Sequence, residues 1–479
     1  MPEVRSKTAG LQPTLSRTLC PASQTCRRIV PAERHPRPDG SCVSYIIKAG
    51  DTCSSISKAE GIKQSDLYKF NENTYGWGGC NSLYPGMRIC VGPGTPRLPA
   101  PNQDAECGPT KPGTVEDDGK VEDLSPCPLK ACCNIWGKCG VDRDFCVPTF
   151  SETGNPGTAE PNTNGCVQNC GLELVTGSAP SDFIKVGYFE AWNRERPCLH
   201  MSPSEIPSSY THVHYSFADI TPSFGVSLGR FSDVFDEFKK TTGHRKVVAF
   251  GGWAFSTEPS TYQLFRNAVK PANRQTFAQA CVDFVNQHGL DGVDFDWEYP
   301  AGDEDEGKNY LEFVKVVRSL MPQGKTVSIA APASYWYLKQ FLIAEMSEVL
   351  DYIVYMTYDL HGQWDYGNEW GQSGCKSGNC LRSHVNITET MSSLVMVTKA
   401  GVPSSKIVVG VTSYGRCTGP ACTYTGPDSG ATHGECTDTG GYISDGEINQ
   451  IIDEGGAKRQ WTDDTQSNYI IYGDGKWPC

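Results

Sequence analysis

The sequence predicts an α/β fold: a (β/α)8 barrel of the TIM type, preceded by two small disulfide-rich modules. Three observations lead there. From Phe183 onward, short apolar runs alternate with helical stretches, the pattern of a parallel sheet covered on both faces. Of the 22 cysteines, 14 crowd into the first 170 residues, in polar sequence rich in Gly and Pro. One barrel segment, Asp291-Gly292-Val293-Asp294-Phe295-Asp296-Trp297-Glu298-Tyr299-Pro300, carries acids at alternate positions.

The barrel strands read as Phe183–Trp192, His212–Asp219, Lys246–Trp253, Asp291–Tyr299, Thr326–Pro332, Leu350–Asp359 and Lys406–Tyr414. Between them lie helices such as Phe231–Lys240, Arg274–His288 and Tyr310–Leu320. A Cys-rich α+β insertion, about residues 416–465, follows the seventh strand and contains a helical stretch at Asp445–Glu454. Closure needs an eighth strand, and after Asn468–Tyr472 the sequence offers none; an unclosed barrel would expose strand edges. The barrel unit is therefore taken as 183–479, C-terminally truncated.

Cysteine density of this kind belongs to an oxidising compartment, so the protein is expected to be secreted. The sequon Asn386-Ile387-Thr388 is compatible with that. Residues 1–20 contain no apolar signal-peptide core, which together with the missing strand points to an incomplete reading frame. The net charge of −13, from 42 basic and 55 acidic residues, argues against a nucleic-acid partner. No run of about 18 apolar residues exists to form a transmembrane helix, so no membrane partner is expected. The chain is expected to act as a monomer.

Residues 1–41 are polar and aperiodic and read as poorly ordered, with Cys20 and Cys26 paired to each other or elsewhere. Residues 42–91 form the first module. Its four cysteines, 42, 53, 80 and 90, leave three connectivities open. A strand at Ser44–Ile47, a turn at Gly50-Asp51-Thr52, two short helices and a closing strand ending at Cys90 give a β-α-α-β order. With YIIKAGDTC, DLYKFN and LYPGMRICV, this segment resembles a fungal LysM module. The resemblance implies binding of N-acetylglucosamine oligomers in a groove lined by residues near Gly50–Thr52 and Asn81–Tyr84. The alternative is a stapled unit that only spaces domains.

Residues 92–106 read as a stiff Pro-rich linker. Residues 107–170 hold Cys107, Cys127, Cys132, Cys133, Cys139, Cys146, Cys166 and Cys170. Adjacent cysteines cannot easily bridge each other, so four crossing bridges to distant partners are expected. The core CCNIWGKCG followed by Phe145-Cys146 resembles the hevein-type chitin-binding module. That places Asn134, Trp136 and Phe145 at sugar-contacting positions, with Asn134, Lys138 and Phe145 departing from the module's usual Ser, aromatic and Tyr. A unit this small needs staples to fold, and exposed aromatics can stack on sugar rings. Here the alternative is a structural knot with a chance Trp. Residues 151–182 read mostly as linker.

On a strand, Asp294, Asp296 and Glu298 share one face, whereas Asp291 has the opposite parity and suits a turn or helix contact. Three inward carboxyls cannot all ionise at low cost, so one is pushed toward the pKa of a proton donor. Glu298 lies nearest the strand's C-terminal end, where barrel active sites form, and is the natural general acid. A salt-bridge network is the competing reading, and few cations lie nearby in sequence to support one.

The DxxDxDxE run resembles the signature of glycoside hydrolase family 18, the chitinases. Met356-Thr357-Tyr358-Asp359 and Phe250-Gly251-Gly252-Trp253 resemble two further family motifs, with Ala249 in place of a usual Ser. The whole arrangement is similar to large fungal chitinases of the killer-toxin-subunit class. The family implies hydrolysis of β-1,4 N-acetylglucosamine links by substrate-assisted retaining catalysis, in which the substrate's own acetamide oxygen attacks the anomeric carbon. Glu298 is then acid and base. Asp296 holds the acetamide and stabilises the oxazolinium, Asp294 tunes Asp296, and Tyr358 hydrogen-bonds the acetamide. Met356, Asp359, Trp253, Gly252 and Tyr188 are placed among the substrate contacts. The family also uses a Trp on the eighth strand, which Trp477 does not match. No metal or cofactor is implied, and the scattered histidines read as structural. The alternative function is a secreted chitin-binding protein, lectin or effector, without catalysis.

Overall fold

The computed structural model describes residues 35–116, 119–300, 305–369, 371–372, 374–418, 423–424, 426–473 and 477–478, the last pair by backbone alone. Cys20 and Cys26 lie outside them.

In the first module, β1 (Ser44–Ile46) pairs antiparallel with β2 (Arg88–Cys90), and α1 (Cys53–Glu60) and α2 (Gln64–Phe70) pack across them. Thr52 caps α1, and Gly61 ends it at φ 66°, a left-handed conformation that suits Gly. The core is small (Ile47, Ile56, Leu67, Trp77, Ile89), so the bridges Cys42–Cys90 and Cys53–Cys80 carry part of the stability.

The second module folds β3 (Cys132–Asn134) between β4 (Cys139–Gly140) and β5 (Cys166–Gln168), with the short helix α3 (Arg143–Cys146) alongside. Its bridges are Cys107–Cys133, Cys127–Cys139, Cys132–Cys146 and Cys166–Cys170. Three of them cross. The fourth spans only four residues, contrary to the expectation of four distant pairings, because the turn between Cys166 and Cys170 already brings the two backbones together.

The linkers are not free. Asp39 accepts from Arg97 at 2.7 Å and Cys42 N–H donates to the Thr95 carbonyl, which ties residues 35–41 and the Pro-rich segment to the first module. Residues 151–158 fold back as a strap. Asn155, 4% exposed, donates to the carbonyls of Asn71 and Thr74, and Thr153 donates to the Trp77 carbonyl. Farther on, Lys399 of the barrel donates to the carbonyls of Asn169 and Gly171, and Val175 N–H donates to Thr398 Oγ1. Pro-rich or polar composition made these segments read as linkers; their polar groups also bond the backbone of neighbouring modules.

The barrel strands are β6 (Val186–Glu190), β7 (His212–Ile220, with the short antiparallel β8, Val226–Ser227), β9 (Arg245–Gly251), β10 (Gly292–Asp296), β11 (Thr326–Pro332), β12 (Tyr352–Met356) and β13 (Ile407–Val409). Among the described residues they form one parallel path in the order β6-β7-β9-β10-β11-β12-β13. The first, fourth, sixth and seventh are shorter than expected. The seventh keeps only three ladder residues, its last ladder bond running from Gly410 N–H to the Tyr355 carbonyl.

Outside the sheet lie α4 (Ser232–Phe238), α5 (Trp253–Thr257), α6 (Tyr262–Ala268), α7 (Arg274–His288), α8 (Glu306–Leu320), α9 (Tyr335–Leu338), α10 (Ile343–Val349) and α11 (Ile387–Ala400). Their apolar faces meet the outward residues of the sheet: Phe295 lies 4.9 Å from Phe313, which stacks on Phe277. Each such ring contributes about 1.5–3 kcal/mol by burial. Asn386 is not available as a sequon acceptor. It caps α11, its Oδ1 accepting from Thr388 and Glu389 N–H, and it is 9% exposed.

Beyond β13, β14 (Tyr414–Arg416) pairs with β15 (Tyr442–Ser444), and Ser444 caps α12 (Asp445–Asp453). Two antiparallel pairs follow, β16 (Gln460–Thr462) with β17 (Ser467–Tyr469) and β18 (Ile471–Tyr472) with β19 (Trp477–Pro478). Trp477 thus lies in a hairpin outside the parallel path.

Candidate active site

The site is built on the parity of β10. Val293 and Phe295 join the sheet–helix core, while Asp294 and Asp296 turn to the barrel interior. Asp291, of the opposite parity, accepts from Lys246 N–H and fixes the start of the strand. Gly251 and Gly252 explain why β9 can end beside it. A Cβ on Gly251 would sit 2.0 Å from the Asp296 carbonyl, and Gly252 N–H donates to that carbonyl at 2.7 Å. Gly252, expected as a substrate contact, is thus a backbone neighbour of Asp296, with Phe217 filling the space where its side chain would be.

Asp294 is fully buried. It accepts from Ser328 Oγ at 2.7 Å and from Tyr188 OH at 2.8 Å, and His214 Nδ1 lies 3.3 Å away. Burial pushes its pKa up, but the His214 charge and the donors His214, Ser328 and Tyr188 outweigh it and hold the carboxyl below its ordinary value. Across the sheet Asp294 stands between Ala249 and Ser328, so the hydroxyl that Ala249 lacks comes from the opposite neighbour. His214 Nε2 meets Tyr352 OH at 2.8 Å. Tyr188, expected among the substrate contacts, donates its hydroxyl to Asp294.

Asp296, one pleat on, has none of these donors. Its Oδ1 is buried without a hydrogen-bond partner. Burial first, then the charges of Glu298 and Asp294, drive its pKa well above the ordinary carboxylate value. Glu298 follows at the strand's C-terminal end, its N–H donating to Ser256 Oγ at 3.1 Å. Burial, reinforced by Asp359 and opposed by a Tyr299 hydrogen bond, pushes Glu298 up to about 7. Tyr358 remains a phenol: burial, then Asp296, Tyr414, Glu298 and Asp359, raise it far above its ordinary range. Met356 lies in the interior cluster with Tyr188, Tyr299 and Tyr358.

Asp359 belongs to a different circle. It accepts from Tyr414 OH at 2.7 Å and from Arg416 Nε at 2.8 Å, with His384 Nδ1 at 3.3 Å. Burial raises it, yet His384, Arg416 and Tyr414 hold it well below the usual range. His361 bridges Asp365 and Glu389 at 2.7 Å each. Tyr414, Arg416, His214, His361, His384 and Ser328 escaped sequence reasoning, since each comes from a distant strand, loop or the insertion. Three of the histidines read as structural, His214, His361 and His384, pair with acids around the site.

Exposed aromatics rim the strand ends. Trp253 is 61% exposed, and Trp336 and Trp364 lie at the loops after β11 and β12. Tyr337 stacks on Tyr299 at 4.6 Å. In the second module, Trp136 is exposed and Phe145 half-buried over Gly140. Asn134, expected at the sugar, is 3% exposed, and its Oδ1 accepts the N–H groups of Trp136 and Lys138. It shapes the aromatic loop from within.

The site thus places stacked carboxyls at the end of the fourth strand of a parallel sheet, with exposed aromatics around it. The family model "Glycosyl hydrolases family 18" matches residues 184–478, and the chain belongs to that family. A LysM domain model matches residues 45–92. The chain is similar to a protein of Penicillium expansum named secreted chitinase LysM12, 47% identical over 469 residues, covering 92% of this chain and 31% of that one. It is also similar to the killer toxin subunits alpha/beta of Kluyveromyces lactis, 38% identical over 464 residues, covering 92% and 38%. Among solved structures, the Ostrinia furnacalis Group II chitinase catalytic domain 2 aligns with TM-score 0.52 and 26% identity, over 61% of this chain and 82% of that one. The chain spans about a third of the length of the first curated relatives it matches.

Proposed function

We propose that this chain hydrolyses β-1,4 N-acetylglucosamine links in chitin by substrate-assisted retaining catalysis. The reading is carried by the contrast between Glu298, raised to about 7, and Asp296, whose Oδ1 lacks a partner. Glu298 protonates the leaving oxygen and then, as a carboxylate, takes a proton from water. Asp296 receives the acetamide N–H, and its charge stabilises the oxazolinium cation. The phenol of Tyr358 donates to the acetamide. Asp294, held ionised by His214, Ser328 and Tyr188, takes over the proton of Asp296 as the acetamide arrives, which leaves Asp296 as the carboxylate that receives the N–H. Such a site asks for a 2-acetamido sugar, and the LysM match supports the same substrate class.

The second module is assigned as hevein-type, supported by its three crossing bridges and exposed Trp136. Secretion is supported by the disulfides and by the Penicillium relative whose name describes it as secreted.

The test is hydrolysis of a fluorogenic chitotriose glycoside by residues 1–479 beside a Glu298→Gln control. Turnover that disappears in the control is the expected result. No turnover, with retained binding to chitin beads, would make this chain a binding protein instead.

A further inference from the structure

We propose that Tyr84 of the first module and Trp136 of the second form one composite site for an N-acetylglucosamine oligomer, so that the module pair takes up a single sugar chain. The inference rests on the chitin reading above and extends it to a place that neither module provides alone.

The two rings meet edge to face, with centroids 5.4 Å apart and planes at 82°. They come from separate modules joined by residues 92–106, yet their relative position is fixed. Gly76 N–H donates to the Pro156 carbonyl, Asn155 is buried against Asn71 and Thr74, and Gly157 lies flat on the Tyr75 ring, where a Cβ would come within 2.4 Å. The strap thus glues the modules without help from Tyr84 or Trp136. A contact serving only as glue would also bury its rings, and these remain 46% and 41% exposed. The indole is held from behind: its N–H donates to Asn164 Oδ1 at 3.1 Å, which orients the ring and brings an exposed amide to the same spot.

Two half-open aromatic surfaces at a right angle make a corner. One ring can lie under the apolar face of a pyranose. The other then meets the ring's edge, where a 2-acetamido sugar carries its methyl group. The exposed amide of Asn164 borders the corner with groups able to bond hydroxyls and the acetamide. A neutral N-acetylglucosamine chain suits this mixture, and an anionic or purely apolar ligand does not.

The test is calorimetric titration of N-acetylchitohexaose into the full chain carrying Glu298→Gln, which prevents turnover, with Tyr84→Ala, Trp136→Ala and the double substitution in that background. The cleft is common to all four proteins. The expected result is that each single substitution removes the same one oligomer per chain and the double removes no more than either, while Tyr84→Phe, which keeps the ring, retains it. Hydrogen exchange at the Gly76 amide checks that the strap still holds the modules together, and protection is expected in every variant. If the double substitution removes two oligomers, the modules bind separately and the composite site is wrong. It is equally wrong if neither single substitution changes the count, if Tyr84→Phe fails as Tyr84→Ala does, or if Gly76 loses protection, since the rings would then be glue. A Glu298→Gln chain that binds no oligomer anywhere overturns the chitin reading itself.

Discussion

Two groups of acids stand at or just beyond the ends of β10 and β12, with β11 between them, and the fold treats them in opposite ways. At the end of β10, Asp296 is buried and Glu298 half-buried, each with few donors, and both are driven toward the protonated form. After β12, Asp359 and Asp365 are surrounded: the first by Arg416, Tyr414 and His384, the second by His361 and Gln372. Asp359 is held as a firm anion, and His361 rises to about 9 because Asp365 and Glu389 outweigh the cost of its burial. One circle stores a proton and the other stores charge. Only the first can deliver a proton to a substrate, while the second can hold a loop and an insertion domain in place.

The largest effect tests the first circle. Glu298→Gln keeps the shape of the site and removes its acid and base, so turnover should fall by about 10³-fold or more. Steady-state hydrolysis of the chitotrioside measures it. Residual activity within tenfold of wild type would place the proton donor elsewhere.

In the second circle, removing an acid should strike mainly at stability, and Asp359→Asn should in addition lower the Glu298 pKa that Asp359 helps to raise. Asp359→Asn strands Arg416, and His361→Gln strands Asp365, which is 4% exposed. Each should cost about 3 kcal/mol in urea unfolding, the penalty of a buried charge left without its partner. The His361 contribution has a pH signature. With a folded-state pKa of about 9 against an ordinary 6.5, its stabilisation is complete below 6.5 and is lost as pH rises through about 9. A His361→Gln penalty that stays the same at pH 6 and pH 9.5 would contradict the ion-pair account.

Much of the first circle was legible in the sequence and almost none of the second. A strand's period of two places Asp294, Asp296 and Glu298 on one face whatever surrounds them, so their mutual repulsion could be read directly. The scarcity of cations near them in sequence also held for Asp296. It failed for Asp294, whose His214 arrives from another strand, and for Asp359, whose Arg416 arrives from the insertion. Partners brought together by barrel closure leave no trace in local spacing. Polarity misled in the same way at the linkers: Asn155 and Thr153 look like solvated loop residues until the backbone they cap is in view.

The two circles should also answer differently when the acid itself is neutralised. Glu298 has an ordinary pKa near 4.5 and a folded one of about 7, so its contribution to stability is complete below 4.5 and is lost as pH rises through about 7. Gln has no proton to lose. Glu298→Gln should therefore match wild type near pH 4 and exceed it by about 3 kcal/mol at pH 8, read from thermal or urea unfolding. The same proton sets the alkaline limb of kcat/KM, which should fall as pH passes about 7 in the wild type. A limb two units away from the stability transition would separate the catalytic proton from Glu298.

The smallest effect lies where the circles meet in type. Asp294 is a β10 acid treated like the acids after β12, with a histidine and two hydroxyls to hold its charge. His214 touches no substrate, so His214→Gln should lower kcat by about tenfold, the cost of roughly one pKa unit at the Asp294–Asp296 pair, and leave KM nearly unchanged. Without the His214 charge, burial raises the Asp294 pKa, so the acidic limb of the kcat profile should move to higher pH. Tyr352→Phe removes only the hydroxyl behind His214 and should shift the same limb in the same direction by less. If both variants lose stability while kcat and its acidic limb stay put, His214 only fills the barrel interior. A shifted limb with the melting point unchanged would mean instead that Asp294 is tuned from two strands away, by the same device that keeps Asp359 charged.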